Sequence, residues 1–175
     1  MNNINNMSNE TIQKLSENQK IFLNSLSNYI DDEIYLYGSI TRFDYIPEKS
    51  DLDIDIFTDN EHSTIQKLCV FLNLKKEQFE KIVYKINNVI ITGYKKKYIN
   101  EEKNLTIEIS VYNQKNKQTI IKQHNKSNEL PYIILVLLYI FKCLYYKFGV
   151  LNNIMYSYIK RFLMHMSFER NFILL

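Results

Sequence analysis

Residues 50–56, SDLDIDI, restrict this chain more than any other stretch: Asp51, Asp53 and Asp55 alternate with Leu52, Ile54 and Ile56. A period of two predicts a strand with the apolar residues on one face and the carboxylates on the other. Neighbouring carboxylates on that face have Cα atoms roughly 6.5–7 Å apart, near enough for two side chains to share a hard cation. Three like charges repel, and burying one without a partner is costly. The face is therefore either bathed in water or built to receive positive charge. A calcium loop of the EF-hand kind is excluded, because its sixth position would be Ile56 and its twelfth His62, where glycine and glutamate are required.

Two further features give the acids company. Gly38-Ser39 follows the apolar run 33–37, EIYLY, at a point where a strand turns and backbone N–H groups with a hydroxyl can cradle phosphate oxygens. Glu108 sits inside LTIEISVY, on the face opposite Ile107, Ile109 and Val111. A phosphate cradle, an acidic pair and a third acid on another strand predict metal-assisted phosphoryl transfer, with Mg²⁺ (or Mn²⁺) as the cation.

The rest of the chain gives these segments a frame. Residues 1–9 are polar and read as a disordered tail. Apolar spacing predicts an amphipathic helix over 10–30, a strand at 33–37, a loop or short helix over 40–50 containing Pro47, the acidic strand at 52–57 and a helix over 63–74. A short helix is expected near 77–83, then strands at 88–99 and 104–112 joined by NEEKN, and helices after Gln114. The order predicts an α+β fold with helices on one side of the sheet. It divides into a catalytic domain over 10–125 and a helical extension over 126–175. The run 130–141, LPYIILVLLYIF, is about half of the ~20 apolar residues a membrane span needs and ends at Lys142, so it reads as a buried helix.

Composition excludes little but directs the rest. The net charge of +3 in 175 residues does not by itself argue for nucleic acid, and the Asn, Ile, Lys and Tyr bias makes lysine runs look compositional. Cys69 and Cys143 form no CxxC, His62, His124 and His165 have no zinc spacing, and no signal peptide is evident. These point to reduced thiols and a cytoplasmic location.

The stretch YGSITRFDYIPEKSDLDI, with Gly38-Ser39, Asp51-Leu52-Asp53 and Glu108, resembles the nucleotidyltransferase superfamily that includes DNA polymerase β. Within it, Pro47 shortly before Ser-Asp-hydrophobic-Asp most resembles the terminal uridylyltransferases and noncanonical poly(A) polymerases. The resemblance implies a small mixed nucleotidyltransferase sheet with flanking helices, Asp51, Asp53 and Glu108 as catalytic metal ligands, and Gly38 and Ser39 as nucleotide-binding residues. It further implies Lys142 and Ser157 as phosphate contacts and Tyr158 as the residue that stacks on the base. The expected activity is template-independent addition of a nucleoside monophosphate from an NTP to an RNA 3′ end. A small-molecule or protein nucleotidyltransferase and a catalytically silent regulatory relative are the alternatives. The chain departs from the pattern in its third acid (Glu rather than Asp), in lacking a second glycine after Gly38-Ser39 and in the extra Asp55. Ser50 selects Asp51 and Asp53 as the pair over Asp53 and Asp55. The resemblance spans most of this chain but only part of a full-length relative, and leaves base preference, acceptor and oligomeric state open.

Overall fold

The computed structural model describes residues 9–86 and 88–167, so all but the last residue of the expected tail lies outside it. The leading helical segment is two helices, α1 (Asn9–Lys14) and α2 (Glu17–Ile30). Ser16 divides them by capping α2. Its hydroxyl accepts from the Gln19 amide while Gln19 Oε1 accepts from the Ser16 amide at 2.9 Å. That reciprocal pair satisfies two donors that a helix start leaves orphaned.

There follow β1 (Glu33–Tyr37), β2 (Leu52–Thr58), α3 (Glu61–Leu72), β3 (Glu80–Ile86), β4 (Val89–Asn100), β5 (Leu105–Asn113), α4 (Lys117–Asn128), α5 (Tyr132–Tyr146) and α6 (Asn153–Ser167). The strands form one sheet in the order β1-β2-β5-β4-β3, with β2 and β5 parallel and every other pair antiparallel. The sheet is mixed, as the resemblance implied.

One expected helix is a strand. Residues 77–83 hold only a short 3₁₀ turn, Lys76–Gln78, before β3 begins at Glu80. β3 pairs with β4 along its whole length as a hairpin, Ile86 opposite Val89, and Ile82, Tyr84 and Ile86 recur at every second residue to pack on one face.

The helices also flank both faces rather than one. On the first face Ile34, Leu36, Ile54, Ile56, Ile107 and Ile109 pack with Leu23, Leu26 and Ile30 of α2 and Ile65 and Leu68 of α3. The opposite face carries Phe57, Ile91 and Tyr112, which pack against Ile120 of α4. α5 buries the single stripe Ile134, Leu138 and Lys142, one residue in four, and leaves Tyr132, Ile133 and Ile140 exposed. It is amphipathic rather than buried all round. No helix of the described residues is long and apolar enough to cross a membrane.

Candidate active site

The register of the sheet assembles the acids. Asp53 lies directly beside Glu108 across the parallel β2–β5 pair, so both side chains leave the same face, away from the main core. Asp51, one residue ahead of β2, shares that face by alternation. Asp51, Asp53 and Glu108 line one cleft of about 440 Å³ together with Ser39, Ser157 and Lys142.

Gly38 fixes the approach of the turn to the acids. It has a φ of +75°, and a Cβ placed on it would stand 2.1 Å from Asp53 Oδ2. Only glycine combines that backbone with that contact. Thr41 Oγ1 donates to the Gly38 carbonyl at 2.8 Å and holds the turn. Ser50 has a structural part in the SDLD sequence: its hydroxyl accepts from the Ile46 amide at 3.1 Å and so closes the Pro47 loop onto the strand.

Electrostatics follow from crowding. Burial, then the charge of Glu108, pushes the Asp53 carboxyl up to about 7, against the pull of Lys160. Glu108 Oε1 pairs with Lys95 Nζ at 2.6 Å, and Asp51 Oδ2 with Lys97 Nζ at 2.7 Å. Both lysines stand on β4, Lys97 opposite Glu108 and Lys95 opposite Ser110. Three carboxylates without thiol or imidazole are the donor set of a hard dication. As they stand, however, no three His, Cys, Asp or Glu among the described residues are arranged to hold a metal ion. Two ammonium groups already pair with Asp51 and Glu108.

Asp55 belongs to a different environment. It is fully buried, and its Oδ2 meets His124 Nε2 at 2.6 Å while Oδ1 has no protein partner. The His124 ring stacks on Tyr37, with centroids 3.9 Å apart. Burial raises the Asp55 pKa and the hydrogen bond from His124 opposes the rise.

The helical contributions differ in part from the sequence-based expectations. Lys142 is 3% exposed. It neither snorkels to solvent nor holds a free charge over the cleft, because it bonds to the Asp44 carbonyl at 2.9 Å and to Asp44 Oδ2 at 3.0 Å. Burial lowers its pKa and Asp44 partly restores it. Asp44 is itself buried; there burial acts upward, but the Arg42 hydrogen bond and the Lys142 charge outweigh it and hold the carboxyl low. Ser157 reaches the cleft, whereas Tyr158 is 72% exposed and absent from the lining. Two residues turn a helix by about 200°, and it is Tyr156 that faces inward, stacked on Tyr145 at 4.5 Å and edge-on to Tyr146. Burial and Asp51 push the Tyr146 phenol up to about 12.

Sequence reasoning missed Lys95, Lys97, Tyr145, Tyr146, Tyr156 and Lys160. The lysines carried one usable signal, the alternation of Lys95 and Lys97 along a strand, which the compositional bias obscured. The tyrosines carried none, because a tyrosine-rich helix offers many candidates of equal standing.

A Gly-Ser turn pressed onto an acidic pair, with a third acid on the next strand of a mixed sheet, defines a nucleotidyl-transfer domain. The chain belongs to the nucleotidyltransferase domain family, whose family model matches residues 16–159. No curated protein matches significantly. Among solved structures, that of a cytoplasmic RNA terminal U-transferase is similar, with 15% identity and a TM-score of 0.38 over 69% of this chain. The match spans 39% of that chain, so this chain covers well under half of its length.

Proposed function

We propose that the protein is a template-independent nucleotidyltransferase that adds a nucleoside monophosphate from an NTP to the 3′ end of RNA. One observation carries the reading: Asp53, pressed by Gly38 and beside Glu108, lies in a cleft lined also by Ser39, Tyr145, Tyr146 and Tyr156. A phosphate cradle, an acidic pair and a stacking surface within one cavity suit a nucleoside triphosphate.

Asp51, Asp53 and Glu108 would hold Mg²⁺ or Mn²⁺. When bound, the cation lowers the pKa of the acceptor hydroxyl and neutralises charge on the leaving pyrophosphate. The Gly38-Ser39 turn and Ser157 present donors to phosphate oxygens. Tyr156 and Tyr146 supply the face on which a base stacks, the part first expected of Tyr158. Glu108 stands where it can orient the attacking hydroxyl. Lys142 acts from beneath, bracing the Asp44–Ser50 loop that carries Asp51 into the cleft. In the reaction the acceptor hydroxyl gives up its proton to solvent as its oxygen bonds to the α-phosphorus, the α–β anhydride bond breaks and pyrophosphate leaves.

The experiment is incubation with Mg²⁺ or Mn²⁺, each NTP in turn and a labelled RNA oligonucleotide. The reading expects lengthened RNA with at least one NTP and none with Asp53→Asn. Transfer to an aminoglycoside or to a protein acceptor, with RNA left unextended, would assign the chain to the small-molecule or protein branch. Loss of all transfer with tight NTP binding would make it a silent relative.

A further inference from the structure

The ion-paired lysines at the cleft are of two kinds; Lys97 and Lys142 line it with Lys49 and Lys160, while Lys95 reaches it only through Glu108. Lys142 is sealed against Asp44, and both partners of that pair are almost wholly buried. Such a pair is part of the fold, because removing either charge strands the other without water. Lys95 and Lys97 are different. The Lys97–Asp51 pair has side chains 49% and 37% exposed, and the Lys95–Glu108 pair is half-buried, at 31% and 25%. Solvent-accessible pairs contribute little to stability, so their partners can be exchanged at small cost.

Their placement gives the exchange a direction. Lys97 stands directly opposite Glu108 on the neighbouring strand, yet its ammonium passes on to Asp51, beyond β5. Lys95 takes Glu108 diagonally. Two ammonium groups thus lie on the outer two of the three carboxylates that a cation would need, and Asp53 between them has no lysine within bonding distance. A cation that takes the oxygens now paired, Asp51 Oδ2 and Glu108 Oε1, displaces both ammonium groups, which then remain in or beside the cleft without partners. A triphosphate arriving with the cation presents several anionic oxygens there.

We propose that Lys95 and Lys97 are exchangeable counter-ions, holding Glu108 and Asp51 in the cation-free protein and passing to the phosphate oxygens of the incoming nucleotide once a divalent cation takes the carboxylates. The inference rests on the nucleotidyl-transfer reading of the same site. It adds that β4 supplies phosphate-binding residues and that the lysines compete with the cation. Each lysine therefore opposes the cation alone and favours the cation–nucleotide complex, two effects of opposite sign that a purely structural lysine would not produce.

The test is a pair of titrations on folded protein, with Mn²⁺ alone and with a non-hydrolysable ATP or UTP analogue at saturating Mn²⁺. Lys97→Gln should bind Mn²⁺ alone about two- to fivefold more tightly, the scale of one exposed ion pair. It should bind the analogue about tenfold more weakly, as expected for loss of a charge-assisted phosphate contact. Lys97→Arg should restore analogue binding, and Lys95→Gln should repeat both shifts. Unchanged or weaker Mn²⁺ binding by Lys97→Gln, or unchanged analogue affinity, overturns the exchange. Asp53→Asn separates the two levels of the argument. If it loses Mn²⁺ binding while Lys97→Gln behaves as wild type, the exchange alone fails. If wild type and Asp53→Asn bind Mn²⁺ equally or not at all, the nucleotidyl-transfer reading fails with it.

Discussion

Asp53 and Asp55 lie one pleat repeat apart on the same face of β2, and their surroundings are opposite. Asp53 opens into the cleft, beside Glu108 in the next strand and against a glycine with no side chain. Asp55 stands beside Ser110, is closed off by His124 and is fully buried. The sequence shows the two residues as equivalent members of one alternation. The difference comes from what the fold lays over each: a turn and a hairpin of tyrosines over the first, helix α4 over the second. A row of like charges on one strand face is thus divided: Asp51 leans on the exposed Lys97, Asp53 faces the cleft, and Asp55 is closed off against His124.

The comparison predicts effects of different kinds at the two residues. Asp53→Asn should cut transfer by about 10³-fold or more with the fold intact, since it removes a charge that acts on the reacting atoms. Asp55→Ala should lower stability by about 3–5 kcal/mol, because it leaves His124 without its buried partner. Transfer per folded molecule should fall little. Chemical denaturation alongside single-turnover assays measures both, and a reversal of the two patterns would break the comparison.

A second contrast concerns pH. The Asp53 pKa rises from 3.8 to about 7 on folding, so between those values the folded protein keeps a proton that the unfolded chain has released. Stability in chelator should therefore fall as pH rises through that window. Asp53→Asn removes this loss, so its advantage over wild type should grow from nothing below pH 4 to on the order of 2–4 kcal/mol at pH 8. Any slope remaining in the variant belongs in part to Asp55, whose pKa is also raised. Melts across pH measure it, and parallel profiles for the two proteins would count against the burial of an unpaired Asp53.

The glycines sharpen the same point. Gly38→Ala sets a methyl group against Asp53 in a left-handed backbone and should cost about 2–3 kcal/mol along with nearly all transfer. Gly149→Ala meets nothing within 4 Å and should carry only the strain of its own positive φ, about 1 kcal/mol. The tyrosines divide in the same way: Tyr156→Ala should weaken nucleotide binding by about 1–3 kcal/mol, whereas Tyr158→Ala should leave it unchanged. Calorimetric titration with a non-hydrolysable NTP decides between them.

What the sequence makes legible follows physical range. The acidic strand follows from a period of two and the Gly-Ser turn from its residue types, both local, whereas the common face of Asp53 and Glu108 needs the β2–β5 register as well. β3 carries the same local signal in Ile82, Tyr84 and Ile86, and the helix expected over 77–83 overlaps only its first residues, beyond the turn Lys76–Gln78. The fate of Lys142 rests on Asp44, 98 residues away, and no local pattern announces that pairing. Helical phase at the Ser-Tyr pair is set by the packing of α6 on α5, which turns Tyr156 inward and Tyr158 outward.

The most direct test of the divided strand is anomalous diffraction from crystals of the protein soaked with Mn²⁺ and a non-hydrolysable NTP. The account predicts manganese density bonded to Asp51 and Asp53, with Glu108 in its shell, Lys95 and Lys97 moved from the carboxylates to phosphate oxygens, and no density at Asp55. Manganese bonded to Asp55 in place of Asp51, or nucleotide bound with no metal at these carboxylates, would contradict it.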